Sequence, residues 1–420
     1  MKQESGRLYL KRTRGLERIF WWFYAICISI PWHSTANRFL SMIQLSGNFS
    51  LIQVCALAMV AVIVLKTFPK VRISKSNIVF SAFFLTVMIG VGNGIKYGTS
   101  MILDFDMIFV GIACYIITSS KNVQQLDIYK FLKFTTSCMN INGFINLVIY
   151  LTRSWSFWGV ETTDTGRFGA GYFTLFLITG CFSFYSLCVN ESENTVSKKV
   201  AVLNLALTVF AFTVSAVRTN LLVLMLVCVC IYIMTVMKTM SKTQLLFRIV
   251  VIIVGAAVVM YMLYGSSILS SRFSTGNSLL KEGNFAIRIS TISYYINELK
   301  LRPWFGYGLG YMLHFVHPRG FALDDQLSID NSFMYIAIKM GIIALVMYFA
   351  LIVVVPIIQI KKKYELRDIK NILIISYLGF IFATSIMTNQ IVYTYADLIF
   401  AWTFIGLLCN KGTNDYRSKG

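Results

Sequence analysis

Apolar stretches of about twenty residues recur from one end of this chain to the other. They lie near 17–33, 47–65, 77–93, 101–119, 131–151, 170–189, 200–217, 220–237, 244–264, 332–357, 371–388 and 393–409. Each is long enough to cross a hydrocarbon core about 30 Å thick. No water is available there, so only helices and closed barrels satisfy their backbones. The stretches are continuous in Leu, Ile, Val and Phe and lack the two-residue alternation of barrel strands. The expected fold is therefore an all-α polytopic membrane protein with about 12 transmembrane helices. Charge agrees: 13% of residues are charged, against about a quarter in soluble chains.

The first stretch, "IFWWFYAICISI", is rich in aromatics and is followed by no small-residue cleavage site, so it reads as a span and not as a signal peptide. Residues 1–264 then hold helices 1–9, 265–331 form one large loop, and 332–420 hold helices 10–12.

A net charge of +20 raises the question of nucleic acid. Its distribution answers it. The N-terminal "KRTRGLER", the loop "KTFPKVRISK", the segments near 121–133, 190–199 and 238–248, "KKKYELRDIK" and the C-terminal tail fall on one side, with 26 of the 38 Lys and Arg. The other side holds 11, six of them in the loop 265–331, where long-loop charge says little about orientation. Both termini are thus expected in the cytoplasm, and the basic charge is a topology signal; no nucleic-acid partner is expected.

The nine cysteines lie in or at the edges of apolar stretches, without CxxC or metal-ligand spacing, and read as small hydrophobes; no metal site is expected.

Two external loops exceed a short connection, 152–169 and 265–331, and a loop as long as the second is expected to carry structure of its own. Within it "NFAIRISTISYYINELK" (284–300) has helical spacing, with Phe285, Ile289, Ile292, Ile296 and Leu299 as one apolar stripe and Arg288 at its border. Such a helix is expected to lie apolar face down on the membrane or the bundle. "LRPWFGYGLG" (301–310) follows, with Pro303 ending the helix. Its glycines resemble a phosphate loop, but the strand that should precede one is replaced by an amphipathic helix, so the run reads as a structural turn.

Three arginines stand on the external side: Arg167 in "TGRFGAGYF", Arg218 in "SAVRTN" and Arg288. Each alone reads first as a snorkelling side chain. Together they suit a shared anion, because the guanidinium fork donates bidentate hydrogen bonds to phosphate. Asp330, directly before the tenth span, reads either as a helix cap or as a general base. His314 and His317 are loop histidines with the chemistry of bases or ligands. Asp104, Asp106, Asp397 and Lys339 lie inside apolar stretches, where an ionisable group is a functional candidate by default.

The ordered segments "TGRFGAGYF", "SAVRTNLLVLML", "RISTISYYINELKLRPWFGYGLG" and "DNSFMYIAIKMGIIALVMYF" resemble the O-antigen polymerase and ligase superfamily. The resemblance spans about residues 165–350 in motifs and the rest in topology. It implies a metal- and cofactor-independent glycosyltransferase of the GT-C type in the bacterial inner membrane, with its active site and the 265–331 loop facing the periplasm. Its substrate would be an undecaprenyl-diphosphate-linked oligosaccharide, drawn from the membrane lipid. By motif, Arg167, Arg218 and Arg288 would hold the diphosphate. Where ligases of the superfamily carry His-Asn, this chain has Asp330-Asn331, which looks more like the Wzy-type polymerases. Asp330 and Arg288 are then the expected catalytic pair, with Trp304, Tyr307, Asn331 and His317 as possible sugar contacts. "LRPWFGYGLG" would be a hinge between the Arg288 helix and Asp330. A chain-length regulator and a flippase are the protein partners such a polymerase implies. The rival readings are the ligase of the same superfamily and a lipid-linked oligosaccharide flippase, the latter disfavoured because no internal repeat is visible.

Overall fold

The structure is a computed structural model. It describes residues 18, 20–30, 44–46, 49–50, 75–119, 128–152, 172–189, 195–214, 218–236, 283–316, 322–326, 331–361, 374, 376–379, 381 and 395–409. In chain order the elements are α1 (Phe20–Ser29), β1 (Gln44–Ser46), β2 (Phe49–Ser50), α2 (Lys75–Gly94), α3 (Thr99–Ser119), α4 (Ile128–Thr152), α5 (Phe173–Cys188), α6 (Lys198–Val214) and α7 (Arg218–Val236). Then come α8 (Gly283–Leu301), β3 (Leu313–Val316), β4 (Ala322–Gln326), α9 (Ser332–Phe349), a π-helical turn Ala350–Val354, α10 (Val355–Lys361) and α11 (Tyr395–Cys409).

The fold is mostly helical, as expected. Among the described residues, three helical stretches are long and apolar enough to cross a membrane: Ile78–Tyr97, Thr99–Ser119 and Ser332–Ile358. The expected spans near 47–65 and 244–264 lie outside the described residues, except that Phe49–Ser50 pair as a strand with β1 where a helix was expected. A second antiparallel pair, β3 with β4, lies in the long loop and aligns Phe315 with Leu323 and Val316 with Ala322. This gives the loop backbone partners that a bare connection would lack.

The core is organised around α3, whose apolar window is 67% buried against 33% for α2. A helix apolar all round is one surrounded by neighbours. α11 lies along α3, and small residues let them meet. A Cβ at Gly111 would sit 2.6 Å from the Trp402 ring, and one at Gly406 would strike the Thr118 hydroxyl. α5 packs against both α6 and α7, α4 against α6, and α2 against α9.

Buried amides tie helices together where the hydrophobic effect gives no preference between lipid and protein. Asn142 Nδ2 donates to the Ile28 carbonyl at 3.0 Å, joining α4 to α1. Asn204 Nδ2 donates to Asn140 Oδ1 at 2.8 Å, and the Ser183 hydroxyl donates to Asn204 Oδ1 at 3.0 Å, joining α4, α5 and α6.

α2 and α3 form a hairpin through a 3-10 turn, Ile95–Tyr97, and Gly98 at φ 57°. The end of the bundle where this hairpin turns is also the end where α9 begins, and the candidate site lies there.

Candidate functional site

α9 is a broken helix. Gly341 has φ 87° and ψ 174°, which interrupts the hydrogen-bond ladder. The interruption frees the carbonyls of Ile338 and Lys339 and the N–H of Ile342, and the segment "PWFGYGLG" takes all three. Tyr307 N–H donates to the Ile338 carbonyl at 2.9 Å, Gly308 N–H donates to that of Lys339 at 2.9 Å, and Ile342 N–H donates to the Pro303 carbonyl at 2.7 Å. On the other flank, Leu309 N–H donates to the Gly90 carbonyl of α2 at 2.9 Å. Irregular backbone is tolerated at membrane depth only when protein groups satisfy it in this way.

The glycines are explained by how close the backbones come. A Cβ at Gly308, where φ is 104°, would lie 2.5 Å from the backbone of Asn93 and Gly94. Gly306 abuts Ile338 and Lys339 of α9, and Gly310 abuts Ser100 and Met101 of α3. One glycine thus faces each of three helices. The run is a structural segment and not a phosphate loop, as expected. It is a plug fixed to the bundle, however, where the sequence suggested a hinge; its partners are backbone groups more than thirty residues away on α9 and some two hundred away on α2 and α3.

Beneath the plug is a buried charged cluster. Asp104 of α3 and Tyr335 and Lys339 of α9 are all fully buried. Tyr335 Oη donates to Asp104 Oδ1 at 2.5 Å, Lys339 Nζ donates to Oδ2 at 2.5 Å, and the Gly310 N–H donates to the same Oδ2 at 2.6 Å. Tyr335 and Lys339 share a face because they are four apart, and the ammonium lies 4.5 Å from the ring centroid. Removing one partner of such a pair costs about 3–5 kcal/mol, since the survivor is left charged in a low-dielectric interior.

On the outer side of the plug, Tyr307 and Tyr311 stack at 4.1 Å and 9°. Tyr307 Oη donates to the Glu298 carbonyl at 3.4 Å and Tyr311 Oη donates to Glu298 Oε2 at 3.3 Å. Arg302 lies over the Tyr307 ring at 5.2 Å. Burial, with the neighbouring Glu298, pushes the Tyr307 phenol up to about 12 and the Tyr311 phenol higher still. Both are therefore hydrogen-bond donors at neutral pH.

The expected site residues fall as follows. Arg218 opens α7 and Arg288 lies in α8, but the positions of their side chains fall outside the described structure, as do Arg167, His317 and Asp330 entirely. His314 lies in β3. Asn331 caps α9, its Oδ1 accepting from Met334 N–H at 2.9 Å. The cap that sequence offered to Asp330 thus belongs to its neighbour. Trp304 is 63% exposed, while Tyr307 is half-buried in the stack just described. α8 exists nearly as expected, but its packed face centres on Tyr295, at 6% exposure, and Ile296 of the expected stripe points outward at 41%.

Sequence singled out Asp104 and Lys339 as intramembrane charges; their pairing across 235 positions carried no local signal. Asp106 and Asp397, the other two such charges, are buried in α3 and α11. Among the described residues there is no group of three His, Cys, Asp or Glu side chains placed to hold a metal.

Residues 203–349 match a family model described as O-antigen ligase. This stretch runs from α6 to the end of α9 and takes in Arg218, Arg288, the plug, Asp330 and Lys339. The match supports the O-antigen polymerase and ligase superfamily. No curated protein matches the chain.

Proposed function

From the O-antigen ligase domain at 203–349, we propose that this protein is a Wzy-type polymerase. It joins undecaprenyl-diphosphate-linked oligosaccharide repeat units into O-antigen or a related surface polysaccharide at the periplasmic face of the inner membrane. The observation that carries the reading is that one matched domain contains Arg218, Arg288 and the Asp330-Asn331 pair in sequence order.

In this reading the chain crosses the membrane about twelve times with both termini cytoplasmic. The growing glycan, held on its lipid diphosphate, is attacked at its anomeric carbon by a hydroxyl at the non-reducing end of a new repeat. Asp330 takes the hydroxyl proton as the new glycosidic bond forms. The bond from sugar to diphosphate breaks with its electron pair leaving on oxygen. Arg167, Arg218 and Arg288 hold that leaving group and stabilise the charge it gains. No nucleotide or metal enters, because the lipid-linked sugar is already activated.

A second reading follows from the matched family being that of O-antigen ligase. A ligase would pass the finished glycan to a lipid A core by the same bond chemistry.

The test is deletion of the gene in its source strain, with surface glycan run on a gel. Complementation uses wild type and an Arg288→Ala variant matched for expression. A lipid A core bearing a single repeat and no ladder, rescued by wild type and not by Arg288→Ala, is the expected result. Polymer trapped on the lipid carrier would replace this reading with the ligase. Absence of any repeat outside the cell would replace it with the flippase.

A further inference from the structure

Asp104 lies outside the matched domain, in α3, and yet it is the acceptor on which three parts of that domain converge: Tyr335, Lys339 and the Gly310 backbone. Two of the three donors belong to one turn of α9, just before its break at Gly341. The third belongs to the plug that continues from α8. One carboxylate therefore fixes the spacing between the helix that bears Arg288 and the helix that begins at Asn331.

We infer that Asp104 and Lys339 are positioning residues, a latch that sets the α8 and plug segment against the start of α9 during glycan transfer. The inference rests on the reading above for its catalytic half, while the latch itself is a statement about packing. The chemistry suits a latch. A buried carboxylate with three donors has its charge and its lone pairs satisfied only when the plug is seated. A displaced plug leaves Oδ2 short of the Gly310 N–H. It also leaves the Ile338, Lys339 and Gly90 carbonyls without the donors that now occupy them. None of these groups touches a reacting atom in the proposed mechanism. Their effect is on where Arg288 stands, and a displacement of about 1 Å at a reacting centre lowers turnover by about a hundredfold.

The test uses the full-length protein in lipid nanodiscs with a Leu309→Cys probe, because Leu309 is fully buried in the plug. A soluble maleimide reports its exposure, and the same chain without the probe sets the background of native cysteines. Three backgrounds are compared: wild type, Asp104→Asn, and the double variant Asp104→Asn with Lys339→Met. The double variant removes both buried charges and remains informative if the single one fails to fold. A parallel set without the probe is assayed for polymer formation from purified lipid-linked repeat. The expected result is slow labelling in wild type and labelling faster by about tenfold or more in both variants. Turnover should fall by about a hundredfold while KM for the lipid-linked repeat changes by less than about threefold, and Asp104→Glu should recover part of the turnover.

Equal protection of the probe in all three backgrounds would overturn the latch. Faster labelling with unchanged turnover would overturn its positioning role. If the wild type makes no polymer, the proposed function fails instead, and the labelling still decides the latch.

Discussion

The backbone of Trp304 lies against Gly341, so close that a Cβ added to Gly341 would overlap the Trp304 carbonyl and approach the Phe305 nitrogen at 2.5 Å. At φ 87° and ψ 174° a side chain also carries backbone strain of about 1–3 kcal/mol. Neither cost is relieved by a rotamer change, because both involve main chain. Gly341→Ala is therefore expected to unseat the plug and lower the folded yield and melting temperature of the purified protein. Gly92→Ala is the control, since nothing lies within 4 Å of its added methyl. A helical Gly→Ala change is expected to be neutral or to stabilise by up to about 1 kcal/mol. Equal melting temperatures for the two variants would mean that the break in α9 does not depend on glycine.

Asn331 supports two roles, and they predict different substitution patterns. As the cap of α9 its side chain only needs an acceptor, so Asn331→Ser and Asn331→Asp should keep stability while Asn331→Ala loses about 0.5–2 kcal/mol. As a sugar contact it needs the amide. Thermal unfolding and polymer synthesis measured on the same three variants separate the two. Full stability with lost polymer in Asn331→Ser would assign the sugar contact. Polymer yield that follows stability across the series would leave only the cap.

How much of this was legible in the sequence depends on how local the cause is. The end of α8 was readable, because Pro303 forbids helical geometry in the residue before it, and the helix stops at Leu301. The helices at 75–94, 99–119 and 395–409 follow from long, predominantly apolar runs. The packed face of α8 is legible in part, with Ile292 and Leu299 half-buried beside Tyr295. The stripe of Phe285, Ile289, Ile292, Ile296 and Leu299 passed over Tyr295, which is buried while Ile296 is exposed. The plug could not be read as one, since its glycines are explained by helices distant in sequence. The same holds for Asp104 and Lys339: burial made each of them conspicuous, while only the fold could say that they meet.

Tyr307 and Tyr311 make a pH prediction with a definite sign. Burial beside Glu298 raises the Tyr307 phenol to about 12 and Tyr311 beyond it, so the neutral phenols are favoured in the folded protein. A tyrosine raised above its unfolded value of about 10 contributes stability that is fully present below that pH. The contribution is lost as pH rises through about 12. The stack should therefore stay intact through the neutral and mildly alkaline range and loosen only above it. Tyrosinate absorbance followed against pH should show one late-titrating group fewer in Tyr307→Phe than in wild type. No loss of late-titrating absorbance in Tyr307→Phe would show that the stack is open in solution.

Trp304 decides what the outer face of the plug is for. Its ring is 63% exposed, with Phe305 at 45% and Leu301 at 72% beside it, so truncating it removes little packing. Trp304→Ala is thus expected to leave the melting temperature within about 0.5 kcal/mol equivalent of wild type. An exposed indole can stack on a sugar face or seat at the boundary of the bilayer, where aromatic rings gather. The first role predicts shorter polymer from a stable protein, recovered by Trp304→Phe or Trp304→Tyr, because a flat ring suffices. The second predicts unchanged polymer length and a change in brominated-lipid quenching of the protein's tryptophan fluorescence. We expect the shorter polymer, since Trp304 belongs to the plug that ties the Arg288 helix to α9. Unchanged polymer length in Trp304→Ala would remove it from the sugar site and leave it as a membrane anchor.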